Sequence, residues 1–203
     1  MLTRRAARND RDHFARAARS LAVGRVAIIG SPGSGKTYTA ERLAALTRLP
    51  LQRLDDHYWH PGWTRTPDDE WRRIVDELSA ESRWILDGNY VDTIPCRAAR
   101  AGTILFLDLP PALCALRVFR RYARSSLGLP TEVPARVGQR ALNPVGTGRL
   151  AFLRFVARFR ATTRPKILSI LAEHRDKLVV LRSPREIDAF LEVAARLFGE
   201  GSA

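Results

Sequence analysis

Eight consecutive residues, Gly30-Ser31-Pro32-Gly33-Ser34-Gly35-Lys36-Thr37, have the types and spacing that hold a chain of phosphates. The pattern is G-x-x-x-x-G-K-[ST], placed between an apolar run that reads as a strand (24–30) and a helical pattern from residue 36. Glycines let backbone N–H groups turn inward onto phosphate oxygens, and the following helix adds its positive end. Lys36 supplies a point charge for the β- and γ-phosphates, and Thr37 a hydroxyl for Mg²⁺. Tyr38, next in the chain, is taken as a further nucleotide contact. The expected ligand is ATP with Mg²⁺.

Carboxylates and arginines complete the candidate chemistry. Asp87 ends the apolar run Arg83-Trp84-Ile85-Leu86 and is stopped by Gly88, where a phosphate-loop protein places the acid of its Mg²⁺ shell; a turn aspartate is the plainer alternative. Asp55 and Asp56 follow the run 49–54. At the carboxyl end of a parallel strand, one of these acids is placed to orient or deprotonate an acceptor hydroxyl or to join the metal shell, Asp55 being the candidate for the acceptor, with turn chemistry as the alternative. His57 and His60 form only a weak metal pattern, and Trp59 and Trp63 suit packing or a lid more than base stacking. Arg117, Arg121 and Arg124 recur at i, i+4 and i+7, so they share a helix face. Arg117 and Arg121, with Arg160 and Arg164 as a second clamp, are candidates for neutralising a moving phosphoryl group; a solvated cationic face is the alternative.

Charge supports an anionic ligand. The 203 residues carry a net charge of +13, with 31 arginines and three lysines. Residues 49–94 hold ten acids against five arginines, whereas 113–164 hold eleven arginines against Glu132 alone. Such asymmetry suits a nucleotide, and weak nucleic-acid binding through the arginine-rich segment is a second possibility. Cys96 and Cys114 have no metal or redox spacing. No apolar run is long enough to span a bilayer and no secretory leader is evident, so a cytoplasmic protein is expected, monomer or homodimer.

These residues need a scaffold. Strands are expected at 24–30, 49–54, 83–87, 103–108 and 178–182. Helices are expected at 36–47, from Thr66-Pro67-Asp68-Asp69 with Thr66 as cap, at 112–124, 149–160, 165–174 and 184–197. Residues 125–148 read as a mobile loop, and 1–23 as a basic helical extension. Alternating strands and helices give an α/β fold, with a parallel sheet between helical layers, in one domain over 24–199.

Taken in order, several segments resemble a known family. The phosphate loop looks like that of adenylate kinase-type proteins. Leu54-Asp55-Asp56-His57-Tyr58-Trp59, Trp84-Ile85-Leu86-Asp87-Gly88-Asn89-Tyr90, Arg97, Thr103–Asp108, Arg164-Pro165-Lys166-Ile167-Leu168 and Val180-Leu181-Arg182-Ser183 are similar to the bacterial topology modulation protein family. The resemblance covers about 24–197. It implies a P-loop NTPase fold, a three-layer α/β/α domain with a five-stranded sheet in the order 2-3-1-4-5. It also implies a helical lid near 117–148 and an adenine-side loop at Arg182-Ser183-Pro184. The activity implied is an ATP-dependent phosphotransferase; the family's name also suggests a regulatory effect on DNA topology. Adenylate kinases carry an arginine soon after the Asp-Gly pair, where this chain has Asn89 and Tyr90, so the acceptor stays open.

Overall fold

Near-continuous apolar runs make strands that bury both faces, as a parallel sheet covered by helices requires. The computed structural model describes residues 14–15, 18–129 and 148–199. The main sheet contains β1 (Arg25–Gly30), β2 (Leu51–Arg53), β5 (Trp84–Asp87), β6 (Thr103–Leu107) and β7 (Leu178–Leu181). All four pairings are parallel. Their spatial order is β2-β5-β1-β6-β7. Counted within this sheet alone, that is the expected 2-3-1-4-5. The numbering shifts because a small antiparallel ribbon, β3 (Trp59–His60) and β4 (Thr64–Arg65), intervenes.

Alternation along the strands divides the core. Val26, Ile28, Leu105 and Leu107 face one layer, built from α1 (Lys36–Thr47), α5 (Pro111–Ser126) and α8 (Pro184–Phe198). Ala27, Ile29, Leu86 and Phe106 face the other, built from α3 (Asp68–Ala80), α4 (Ile94–Arg100) and α7 (Arg164–Leu171). The helix α6 (Gly148–Thr162) gives Val156 to the first core and Phe159 to the second. Phe14, Ala18 and Leu21 are also buried in the first core, where Phe14 meets Phe190 edge-on. Residues 1–13 and 16–17 of the expected N-terminal extension, and 130–147 of the expected lid, lie outside the described residues.

Two local expectations give way to tertiary contacts. The second strand ends at Arg53, and Asp55 and Asp56 stand on a short helix, α2 (Leu54–Tyr58). Thr66 does not cap α3: Pro67 occupies the cap position. Thr66 is buried, and its hydroxyl donates to the carbonyls of His57 and Tyr58 while sharing a 3.0 Å hydrogen bond with His60. That bonding closes the ribbon, which outweighs one exposed helix N–H.

Candidate active site

The phosphate loop leaves β1 at Gly30 and enters α1 at Lys36. Gly33 and Gly35 have φ of 79° and 97°, the left-handed region open to glycine. A Cβ on Gly33 would stand 2.5 Å from the carbonyl oxygen of Cys114 on α5, so loop and helix approach too closely for any side chain there. Lys36 donates to the carbonyl of Ser31 at 3.2 Å, and Arg117 reaches from α5 to the carbonyls of Gly33 and Ser34 at 3.3 and 3.4 Å. Cationic side chains thus already bracket the loop.

Parallel pairing sets Asp87 beside Ile28 on β1. The hydroxyl of Thr37 then donates to Asp87 Oδ2 at 2.8 Å, across 50 residues of sequence. Asp87 is 6% exposed and its Oδ1 has no hydrogen-bond partner. Burial raises the Asp87 pKa above the usual carboxylate value, opposed by the charge of Lys36 and the Thr37 hydrogen bond. A hard divalent cation fits this donor set, a hydroxyl and a carboxylate with one oxygen unspent.

Loop, strand ends and α5 surround a cleft of about 1000 Å³. Asp55 lines it and accepts a 2.6 Å hydrogen bond from the Tyr90 hydroxyl. Burial, with the nearby Asp55 charge, pushes the Tyr90 pKa upward, so the phenol remains a donor. Tyr90 packs against Tyr58 and Trp71, each with ring centroids 4.7 Å away. Trp59 and Trp63 join the cleft wall, 5.4 Å apart and edge-on. Trp63 sits at the ribbon tip with φ of 60°, a strained conformation for a bulky residue.

Arg97 had no assigned role in the sequence. It is fully buried on α4, and its guanidinium donates to the carbonyls of Gly88, Asn89, Tyr90 and Thr93. Desolvation lowers its pKa to about 10, leaving it charged at neutral pH. It therefore shapes the loop that brings Tyr90 to Asp55. Arg53 was also missed: it lines the cleft and is ion-paired with Glu41 on α1. Only its position two residues before the acidic pair pointed to it.

The sequence candidates divide. The cleft lining includes Pro32, Gly33, Ser34, Gly35, Lys36, Thr37, Tyr38, Asp55, Asp87, Arg117 and Arg121. Gly30 and Ser31 form the base of the loop beneath it. Arg164 is elsewhere: both its Nε and Nη2 donate to Asp108 at 2.8 Å, in a bidentate pair at the end of β6. Asp108 is buried, so this pairing satisfies a carboxylate that would otherwise be stranded. Arg182 is exposed and does not line the cleft; its backbone N–H bonds Glu186 in a capping box with Ser183. That cap instead directs Pro184, Ile187 and Asp188 of α8 toward the cleft. His60 is engaged by Thr66, and no group of metal-ligating His, Cys, Asp and Glu side chains occurs among the described residues.

The phosphate loop at the carboxyl end of the central strand, within this strand order, decides the architecture. The fold is that of the P-loop kinases. Shikimate kinase from Acinetobacter baumannii, solved in complex with shikimate, is similar with a TM-score of 0.54 at 14% identity, over 92% of this chain and 99% of that one. A gluconokinase from Sinorhizobium meliloti 1021 is also similar, with a TM-score of 0.48 at 17% identity over 88% and 95% of the two chains. No protein-family model and no curated protein matches the chain. No helix among the described residues of this P-loop kinase fold is long and apolar enough to cross a membrane.

Proposed function

We propose that the protein is an ATP-dependent phosphotransferase acting on the hydroxyl of a small acceptor. The observation that carries this reading is the joint placement of two sets of groups on one cleft. Lys36, Thr37, Asp87, Arg117 and Arg121 gather at the phosphate loop, and Asp55 with Tyr90 stands on the same cleft. Kinase chemistry of this kind is mostly positioning and charge stabilisation.

The acceptor hydroxyl oxygen attacks the γ-phosphorus, the bond from that phosphorus to the β,γ-bridging oxygen breaks, and ADP leaves. Asp55 takes the acceptor proton, held in position by the Tyr90 hydroxyl. Lys36 and the loop N–H groups hold the β- and γ-phosphate oxygens. Arg117 shifts from the loop carbonyls onto phosphate oxygens, and Arg121, one turn further along α5, adds charge as the phosphoryl group moves. Thr37 and Asp87 are the residues that would hold Mg²⁺, which when bound draws negative charge off the phosphates. Pro184 and Ile187 supply an apolar edge for the adenine. The resemblance to topology modulation proteins and adenylate kinases agrees with this reading and names no acceptor.

The test is an acceptor screen scored by ADP release and by transfer of label from γ-labelled ATP. Turnover that Lys36→Ala abolishes supports the assignment. A chain that binds ATP but labels no hydroxyl compound in the screen would sink it. A second reading, an ATP-gated nucleic-acid-binding protein, draws on Arg120, Arg124, Arg154 and Arg158, all exposed on α5 and α6. It requires DNA or RNA affinity that falls steeply with salt and changes with ATP.

A further inference from the structure

The chain leaves the main sheet at Asp108 and enters α5; α6 later leads it to Arg164, the first residue of α7. Those two residues are 56 positions apart and bound to each other, Nε and Nη2 of Arg164 donating to the two carboxylate oxygens of Asp108 at 2.8 Å each. The Asp108 side chain is 3% exposed and that of Arg164 is 26% exposed. A bidentate fork of this kind fixes the angle between its partners as well as their separation. Asp108 is tied to the sheet in turn, since its N–H donates to the Leu181 carbonyl at the end of β7. The pair therefore joins the start of α5 to the end of α6 at the carboxyl edge of the sheet.

The helix that starts at this junction carries the cleft arginines. Arg117 and Arg121 lie about 9 and 15 Å along α5 from Pro111, at ~1.5 Å per residue. Cys114, Val118 and Tyr122 are buried at successive turns along one line of that helix. A single line of contacts settles which face turns inward, and the tilt of the axis needs a second anchor. A tilt of about 5° at the helix start would carry Arg117 by ~0.8 Å and Arg121 by ~1.3 Å. Arg117 reaches the carbonyls of Gly33 and Ser34 at 3.3 and 3.4 Å, so a shift of that size is enough to part them. The other side of the junction also borders the cleft, because Thr163, the residue before Arg164, lines it. Arg160, the second expected clamp, is exposed on α6 and does not line the cleft. Further out, α5 and α6 meet through the rings of Tyr122 and Phe152 and through Arg149, which donates to the Ser126 hydroxyl at 2.8 Å.

We propose that Arg164 and Asp108 are positioning residues for the nucleotide phosphates: their pair sets the angle at which α5 presents Arg117 and Arg121 to the phosphate loop. Arg164 thus acts on the triphosphate through another helix and without touching it. The proposal rests on the phosphotransferase reading for the placing of Arg117 and Arg121 on phosphate oxygens, and goes beyond it in assigning a role to a pair outside the cleft.

The experiment measures calorimetric binding of a non-hydrolysable ATP analogue with Mg²⁺ to the full chain, so it needs no acceptor and no turnover. The variant is the neutral pair Asp108→Asn with Arg164→Gln, which leaves no buried carboxylate stranded; thermal melts establish that it folds. It is made in the wild-type background and again in one carrying Arg117→Gln and Arg121→Gln. In the wild-type background the neutral pair should weaken the analogue by about tenfold, the worth of one well-placed charge-assisted hydrogen bond. In the background without the two arginines it should change affinity by less than about twofold, because the effect runs through them. Arg164→Lys keeps the charge and loses the fork, so it should show the same dependence on background at a smaller size, and it serves if the neutral pair does not fold. A neutral pair that binds the analogue as wild type does would reduce the ion pair to satisfying Asp108 and overturn the proposal. Equal losses in both backgrounds would overturn it too, as would Arg117→Gln with Arg121→Gln leaving affinity unchanged. None of those results touches label transfer in the acceptor screen, which decides the phosphotransferase reading separately. The expected dependence on background, beside a screen that labels nothing, would remove that reading and leave the positioning role standing.

Discussion

Replacing Arg97 with methionine tests whether a buried cation shapes the acceptor loop. The substitution keeps most of the apolar stem and removes the guanidinium. Four hydrogen bonds are lost, at 3.3, 2.9, 3.1 and 3.2 Å, to the carbonyls of Thr93, Gly88, Asn89 and Tyr90. At a net value of ~1 kcal/mol each, the sum is about 4 kcal/mol. A value below the ~1.5–3 kcal/mol of bonds to charged groups applies because burial of the charge itself opposes folding, as the lowered pKa shows. The bonds to Asn89 and Tyr90 are only partly buried, so water can return about 1 kcal/mol, leaving a loss of roughly 3 kcal/mol. For a domain of this size the melting temperature should fall by about 6–12 °C. Function should change selectively. With the loop relaxed, Tyr90 no longer holds Asp55, so acceptor KM rises and kcat falls while affinity for a fluorescent ATP analogue stays near wild type. Arg97→Lys, with three donors and no planar fork, should fall between the two and guards against a methionine variant that does not fold. Thermal unfolding by circular dichroism and acceptor saturation curves read both effects. A methionine variant that melts within 2 °C or so of wild type with unchanged acceptor kinetics would refute the clamp.

Three other predictions follow from the same geometry. Gly33→Ala should abolish tight nucleotide binding, because its Cβ would collide with the Cys114 carbonyl at 2.5 Å; equilibrium binding of ATP checks it, and wild-type affinity would mean that loop and helix separate freely. Arg164→Gln should lower stability by about 3 kcal/mol by stranding buried Asp108, whereas adding Asp108→Asn should recover much of that loss; denaturant melts of the two variants decide, and additive losses would contradict the pairing. Asp87→Asn and Thr37→Ala should each reduce the gain in ATP affinity produced by Mg²⁺ by tenfold or so, with little change in metal-free binding; titrations with and without EDTA separate the two, and an unchanged Mg²⁺ effect would move the cation site elsewhere.

The phosphate loop was readable because it is contiguous: one turn of chain contains every group it needs, and its geometry follows from local backbone freedom. The strand runs and their order relative to the helices were readable for a related reason, since two-sided burial leaves a continuous apolar signature. Asp87 and Asp55 were found by position, at or just beyond strand ends. Thr37 was readable in the loop itself, but its hydrogen bond to Asp87 and the whole role of Tyr90 on Asp55 were not, because those contacts join residues 50 and 35 apart in the chain.

What only the tertiary structure decided is how the remaining side chains are spent. Arg164 and Arg117 are chemically the same, yet one is consumed by Asp108 and the other lies over the phosphate loop. Thr66 has the cap residue's chemistry and bonds the ribbon instead. Arg97 serves backbone carbonyls, a partner that every residue possesses, so no pattern of residue types announces it. The physical reason is common to all three. A charged or hydroxyl side chain takes the best unsatisfied group within its reach, and reach is set by packing of distant segments. The sequence by itself pointed to the fold and to the loop Gly30–Thr37; folding decided which arginines line the cleft beside it.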